Sequence, residues 1–232
     1  MLQTLADWTL RLDVDAILRG QGMDPAAVRA RSARIVAAAE NTIDEGRALL
    51  SPLVISRELT VTGHEPDRLL FGAAVLPCGP VIAKRLRSAE HLVAIAATIG
   101  PALDEVAIDM VTKEPMRALA IHGIGGAAVE DLAEQACRRF REQGRADGFL
   151  GAIPCWPGRP EWPNHEAQRQ IFDLLDLDEG ACAAIDLTAS HLMRPAKSLS
   201  FVIGLSQAPD DEAATCDGCG LRPDCPYLPV EE

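Results

Sequence analysis

Apolar and polar residues alternate along this chain with two periods, and the switches between them outline the elements. The stretch Leu10 to Arg19 reads as a first helix that stops near Gly20 and Gly22, residues free to take the positive φ of a helix end. Asp24 is a good N-cap and Pro25 suits the first helical position. Val28, Ile35, Val36, Ala39 and Ile43 then share one face, which predicts a single helix ending before Pro52. From Leu53 to Thr62 the residues become β-branched, and Leu69 to Leu76 is a second apolar run, so both are expected strands. His91 to Ile99 is apolar nearly throughout, which suits a buried strand, and Gly100-Pro101 ends it.

Two helices should follow. The longer, Glu114 to Gln143, carries Gly123, Gly125, Gly126, Ala127 and Ala128 in its middle, which weakens the helix but lets a neighbour come close. The expected neighbour is the sheet, met through Gly123 and Ala127. Gly151 to Pro163, dense in proline, reads as an irregular loop, and Asn164 as the cap of a helix whose Gln168, Ile171, Phe172 and Leu175 share a face. Ala184 to Leu187 and Leu199 to Leu205 are expected strands around a polar link. Strands and helices interleave without a strict βαβ rhythm, so the fold class is α+β with a central, largely antiparallel twisted sheet. Residues 1-207 form the domain. The acidic remainder, 208-232, is a cysteine-rich tail with little apolar surface to bury, ordered only by docking or by a metal.

The chain has 232 residues and a formal charge of -12, which repels a phosphate backbone, so nucleic acid is not an expected partner. No apolar run is long enough to cross a bilayer, and the first residues lack a basic stretch before an apolar one; no membrane association is expected and the cytoplasm is the expected location. Seven cysteines, an odd number in a reducing compartment, argue for metal binding or burial over disulfides. Cys216-x-x-Cys219-x5-Cys225-Pro226 places three thiolates on a short loop that Gly218 and Gly220 make flexible. That spacing suits an iron–sulfur cluster, with zinc as the alternative. Cys155 is the first candidate for a fourth ligand, with Cys78 also open, while Cys137 and Cys182 suit packing.

One segment carries a resemblance. Pro157-Gly158, Pro163, His165 and Ile171-Phe172-Asp173-Leu174-Leu175 are followed by Leu187-Thr188-Ala189-Ser190-His191-Leu192-Met193-Arg194-Pro195-Ala196-Lys197-Ser198-Leu199-Ser200. In this order they resemble the activation domain of cobalamin-dependent methionine synthase. Ala96-Ala97-Thr98-Ile99-Gly100-Pro101, Ile124 to Glu134 and Ala16 to Met23 look like stretches of small, stand-alone members of the same superfamily, and their cysteine-rich tails are similar to this one. The resemblance implies a trans-acting reactivation factor for a corrinoid-binding protein or methyltransferase subunit. Such a factor supports reductive remethylation of cob(II)alamin, the cobalamin being presented by the partner, with a possible electron donor in attendance. An alternative class is an iron–sulfur electron-transfer or corrinoid-protein-binding module without S-adenosylmethionine binding; a third is a metal-stabilised interaction protein.

Within that resemblance Glu134 matches an acidic ligand-binding position. Glu130, four residues earlier, shares its helical face, and together they could receive a ligand's ammonium. Read without the resemblance, the pair is a solvated acidic face. The family's adenosylmethionine loop reads Arg-x-x-x-Gly-Tyr, and here Pro154-Cys155-Trp156-Pro157-Gly158-Arg159 fills the frame. The arginine that grips the carboxylate is missing, so weak or absent S-adenosylmethionine binding is expected, unless Arg159 substitutes for it. Trp156 and Trp162 offer either stacking faces to a ligand or anchors for the loop.

Overall fold

A computed structural model describes residues 2–163, 166–177 and 184–209. At its centre lies a five-stranded, wholly antiparallel sheet in the order β1-β2-β6-β10-β7: β1 (Leu2–Leu5), β2 (Leu53–Thr60), β6 (His91–Thr98), β10 (Ser198–Ser206) and β7 (Gly151–Cys155). The α+β expectation holds, and the central strand shows why His91 to Ile99 reads as continuously apolar. Val93, Ile95 and Ala97 point into one core, while Leu92, Ala94 and Ala96 point into another across the sheet. A strand between two cores has no face to give to polar residues.

The first core is covered by α1 (Val14–Gly20), α3 (Ala33–Ala48), α5 (Ala102–Met110) and α6 (Pro115–Ala146). On the other face lie α4 (Gly79–Arg85), α7 (Glu166–Leu175) and a small sheet of β3 (Gly63–Glu65), β4 (Arg68–Phe71) and β5 (Ala74–Pro77). β8 (Asp186–Leu187) and β9 (Met193–Arg194) form a two-stranded turn that leads into β10.

Several boundaries differ from the sequence reading for local reasons. The first helix starts only at Val14, because the Asp13 side chain accepts from the Ala16 N–H at 2.8 Å and caps it there. The single helix expected after Asp24 is two, α2 (Pro25–Arg31) and α3, broken at Ser32 where φ is -148° and ψ 82°. Leu69 to Leu76 is not one strand but the β4–β5 hairpin, turned at Gly72 with φ of +67°. Part of the expected irregular loop is strand β7. It sits at the sheet edge, so Pro154 can face Ile203 without costing the sheet a second ladder. Asn164 lies outside the described residues.

The packing of α6 also corrects an expectation. Its Gly123 and Ala127 face helix α1, not the sheet; Ile124 packs on Gly46 of α3, and Gly144 is the position that meets Leu205 of β10. A Cβ on Gly123 would come within 2.7 Å of the Ile17 carbonyl oxygen. One on Gly20 would come within 2.3 Å of the Gly123 oxygen, and one on Gly126 within 2.7 Å of the Gly20 oxygen. The two helices therefore touch backbone to backbone. A second tie fixes the segment before α1. Asp131, buried on α6, accepts from the Arg11 backbone N–H at 2.7 Å, from its guanidinium at 3.0 and 3.2 Å, and from Gln135 at 2.7 Å.

Gly123→Leu is expected to force α1 off α6 and to destabilise the fold by about 1–3 kcal/mol, measured by denaturant unfolding. A variant with the parent's midpoint would show that the two helices do not meet there.

Candidate functional site

The loop after β7 is built from its far end. Trp162 is 2% exposed and anchors it in the second core, so its role is packing. Arg85 meets Glu161 at 3.5 Å in a largely buried ion pair. The Gly158 N–H donates to the Trp162 oxygen and the Trp162 N–H to the Arg159 oxygen, both at 2.8 Å, closing a tight turn that Gly158 enters with φ of +85°. The turn leaves Arg159 at its exposed tip, 5.4 Å from the Trp156 ring centroid. Trp156 itself stacks on Phe201 of β10, with centroids 4.0 Å apart. It is half-buried, part core anchor and part wall.

Helix α6 supplies the opposing wall. Glu134, Cys137, Arg138, Arg141, Glu142 and Arg145 line an open groove of about 320 Å³ with Trp156 at its edge. Glu130 lies one turn before Glu134. Its carboxyl keeps solvent-exposed surface, yet the protein crowded around it raises its pKa above the ordinary range. The Glu134 charge adds to the rise and the Arg159 guanidinium opposes it. The sequence candidates Glu130, Glu134, Trp156, Gly158 and Arg159 thus converge from two distant parts of the chain. The arginines along α6 were not singled out in the sequence, although their helical spacing of three and four residues was there to read.

This arrangement offers paired carboxylates for a cation, guanidinium groups for an anion, and an indole edge. The residue types suit a small zwitterion with a flat ring, though the Trp156 faces are already engaged by Phe201 and Arg159.

The candidate metal ligands are not assembled here. Cys216, Cys219 and Cys225 lie outside the described residues, as do Cys182 and His165. Cys155 is fully buried on the sheet face away from α6, and burial pushes its thiol up to about 12, with the neighbouring Cys78 and Glu161 adding to the rise and Arg85 opposing it. Cys78 is likewise pushed up to about 12 by burial. Burial favours the neutral thiol at both positions, which suits packing; a metal bound at either would have to displace that proton. Among the described residues no cluster of three or more His, Cys, Asp or Glu is arranged to hold a metal, and no helix is long and apolar enough to cross a membrane. In the Thr188–Ser200 motif, Ser198 Oγ donates to the Pro195 oxygen at 2.7 Å and pairs with Thr98 Oγ1 at 2.9 Å. Ser200 Oγ, also buried, has no hydrogen-bond partner among the described residues.

The raised Glu130 pKa has a definite sign. The folded state favours the protonated carboxyl, so the stability linked to this group is present at acid pH and is lost as pH rises above the ordinary 4.5 through the folded value. Glu130→Gln is therefore expected to melt higher than the parent at pH 7, with the gap closing below pH 4.5. Thermal unfolding at both pH values is the check, and a gap that does not change with pH would contradict it.

No protein-family model matches the chain, and no curated protein matches it. Solved structures do. The MetH reactivation domain, crystallised bound to AdoHcy, superposes with a TM-score of 0.61 at 18% sequence identity, covering 90% of this chain and 80% of that one. The chain therefore shares the fold of the MetH reactivation domain across nearly its whole length.

Proposed function

We propose that this protein is a trans-acting reactivation factor for a corrinoid protein, supporting reductive remethylation of cob(II)alamin in methionine synthesis or related methyl transfer. The observation that carries the reading is the shared fold together with its groove: α6 and the loop after β7 bring Glu130, Glu134, Trp156 and Arg159 to one place. The comparison domain holds AdoHcy, a sulfur-linked adenosyl amino acid, and the groove here has the charges that such a ligand's ammonium and carboxylate would need. In this proposal the corrinoid arrives on the partner, and the chemistry of electron and methyl transfer belongs to the cofactors. The chain's own part is to orient. Glu134 and Glu130 hold positive charge, Arg159 holds a carboxylate, and the Trp156 edge limits water.

Two features favour the alternative, a corrinoid-protein-binding or iron–sulfur electron-transfer module without S-adenosylmethionine binding. Pro154 fills the position where the family's loop has arginine, and Arg159 already interacts with the Trp156 ring and the Glu130 charge. Weak binding of S-adenosylmethionine is the expected result of calorimetry. Tight binding that Arg159→Ala abolishes would instead restore the first reading in full, with the guanidinium shifted along the loop.

Reactivation itself is tested by adding the protein to a separate corrinoid protein in its cob(II)alamin form, with S-adenosylmethionine and a one-electron reductant, and following the visible spectrum. Conversion to the methylated form should speed up, and Glu134→Ala should slow it by about tenfold or more. No acceleration by the parent protein would end the proposal. For the tail, Cys216, Cys219 and Cys225 are proposed to hold one metal centre, iron–sulfur before zinc, since electron supply suits reactivation. Metal analysis of anaerobic protein should find stoichiometric metal that Cys216→Ser removes. A colourless zinc protein would leave the tail's ordering role but remove its redox one.

A further inference from the structure

Three glycines interrupt α6 close together, and a helix-interior glycine costs roughly 1 kcal/mol against alanine. Gly123 and Gly126 are accounted for by the contact with α1. Gly125 is not. A Cβ there would meet Lys197, whose Cε, Cγ and Cδ would lie 3.0, 3.1 and 3.2 Å away. The helix thus leaves out a side chain so that the stem of one lysine can lie flat across it. Lys197 precedes β10, and its carbonyl is held by the Ile99 N–H at 3.3 Å and the Thr98 hydroxyl at 3.4 Å. Both the backbone and the stem of this lysine are positioned.

The amine ends 3.2 Å from Nε2 of His122, one turn earlier on α6. An ammonium can donate to this nitrogen only while the imidazole is neutral there. The other charged group that faces the amine is Asp104 on α5. It acts at a distance, without a hydrogen bond to the lysine, and its Oδ2 is buried with no partner among the described residues. Burial lowers the pKa of Lys197, with Asp104 opposing. It lowers that of His122 too, with the Lys197 charge adding to the effect and Asp104 opposing. His122 remains exposed and Lys197 half-buried, so a small molecule can reach the pair.

We propose that Lys197 and His122 form a reactive-amine site that captures a small carbonyl compound, an aldehyde or ketone, as an imine. An amine with a base in hydrogen-bond reach, the base facing a carboxylate, is the arrangement that activates a nucleophilic lysine. In the step, the ammonium passes a proton to His122 Nε2 and the freed lone pair attacks the carbonyl carbon. The carbonyl oxygen, protonated through His122, leaves as water while the carbon–nitrogen double bond forms. Amine and carbonyl thus give imine and water, with no oxidant or reductant. The site lies apart from the groove beside Trp156 and stands whether or not that groove serves a corrinoid partner.

The lysines of the chain are Lys84, Lys113 and Lys197, and the first two are exposed, which supplies internal controls. The protein is treated with propionaldehyde and cyanoborohydride between pH 6 and 9, and the alkylation rate at each lysine is read by peptide mass spectrometry. At pH 7, Lys197 should react about a hundredfold or more faster than Lys113, the lower end of what a positioned base supplies. His122→Gln, a change at an exposed side chain, should bring that rate down toward the Lys113 rate and leave Lys84 and Lys113 unchanged. Lys197 reacting no faster than Lys113 in the parent protein would overturn the proposal without recourse to any variant. A rate at Lys197 that His122→Gln does not alter would overturn the role of the imidazole, and with it the site as proposed.

Discussion

The backbone contact between α1 and α6 sets the geometry on which the rest of the first core is built. Gly20 stands against Gly123 and Gly126, where any Cβ would collide with main-chain atoms that cannot move aside. Close approach there brings the chain ahead of α1 within reach of Asp131, whose buried carboxylate gathers Arg11 and Gln135. A carboxylate so enclosed is tolerable only with its lone pairs filled, so the polar tie and the apolar packing depend on each other. With α1 held on one side, α6 packs Ile124 beside Gly46 of α3 and Gly144 beside Leu205 of β10.

The same helix then carries two separate groups of polar side chains along its length. Near its N-terminal half, Gly125 admits Lys197 beside His122; in its C-terminal half, Glu134 and the arginines face Trp156 across an open groove. Both partners come from the ends of neighbouring strands, the loop after β7 and the turn before β10, which reach α6 on the same side of the sheet. Trp156 stacked on Phe201 couples that loop to the strand, so the position of Arg159 follows from core packing as much as from its own turn.

Much of the architecture was legible in one dimension because it rests on periodicity. The apolar run at His91 to Ile99 was read as a buried strand, and the long helix from Glu114 was read within a few residues of its ends. What failed was local or non-local in identifiable ways. Ser32 breaks a helix whose apolar period runs on unbroken, and β7 is a strand because β10 offers it a partner, not because Gly151 to Cys155 favours extension. Glu130 was read from its spacing to Glu134, while Glu134 and Arg159 were singled out through the resemblance; the approach of Glu130 to Arg159 is visible only in the fold.

By itself, then, the sequence determined the class of fold, the small face of α6, and the residue types available for chemistry, because these depend on side-chain size, charge and period. Only the tertiary structure decided what each glycine was for. Gly123 and Gly125 are two residues apart and chemically identical, yet one admits a helix and the other a lysine. It likewise decided that Cys155 lies in a core while Arg159 reaches solvent four residues later. Such assignments depend on which distant segment arrives opposite a position, and that is set by the summed packing of two cores about the sheet, a quantity no local stretch of chain contains.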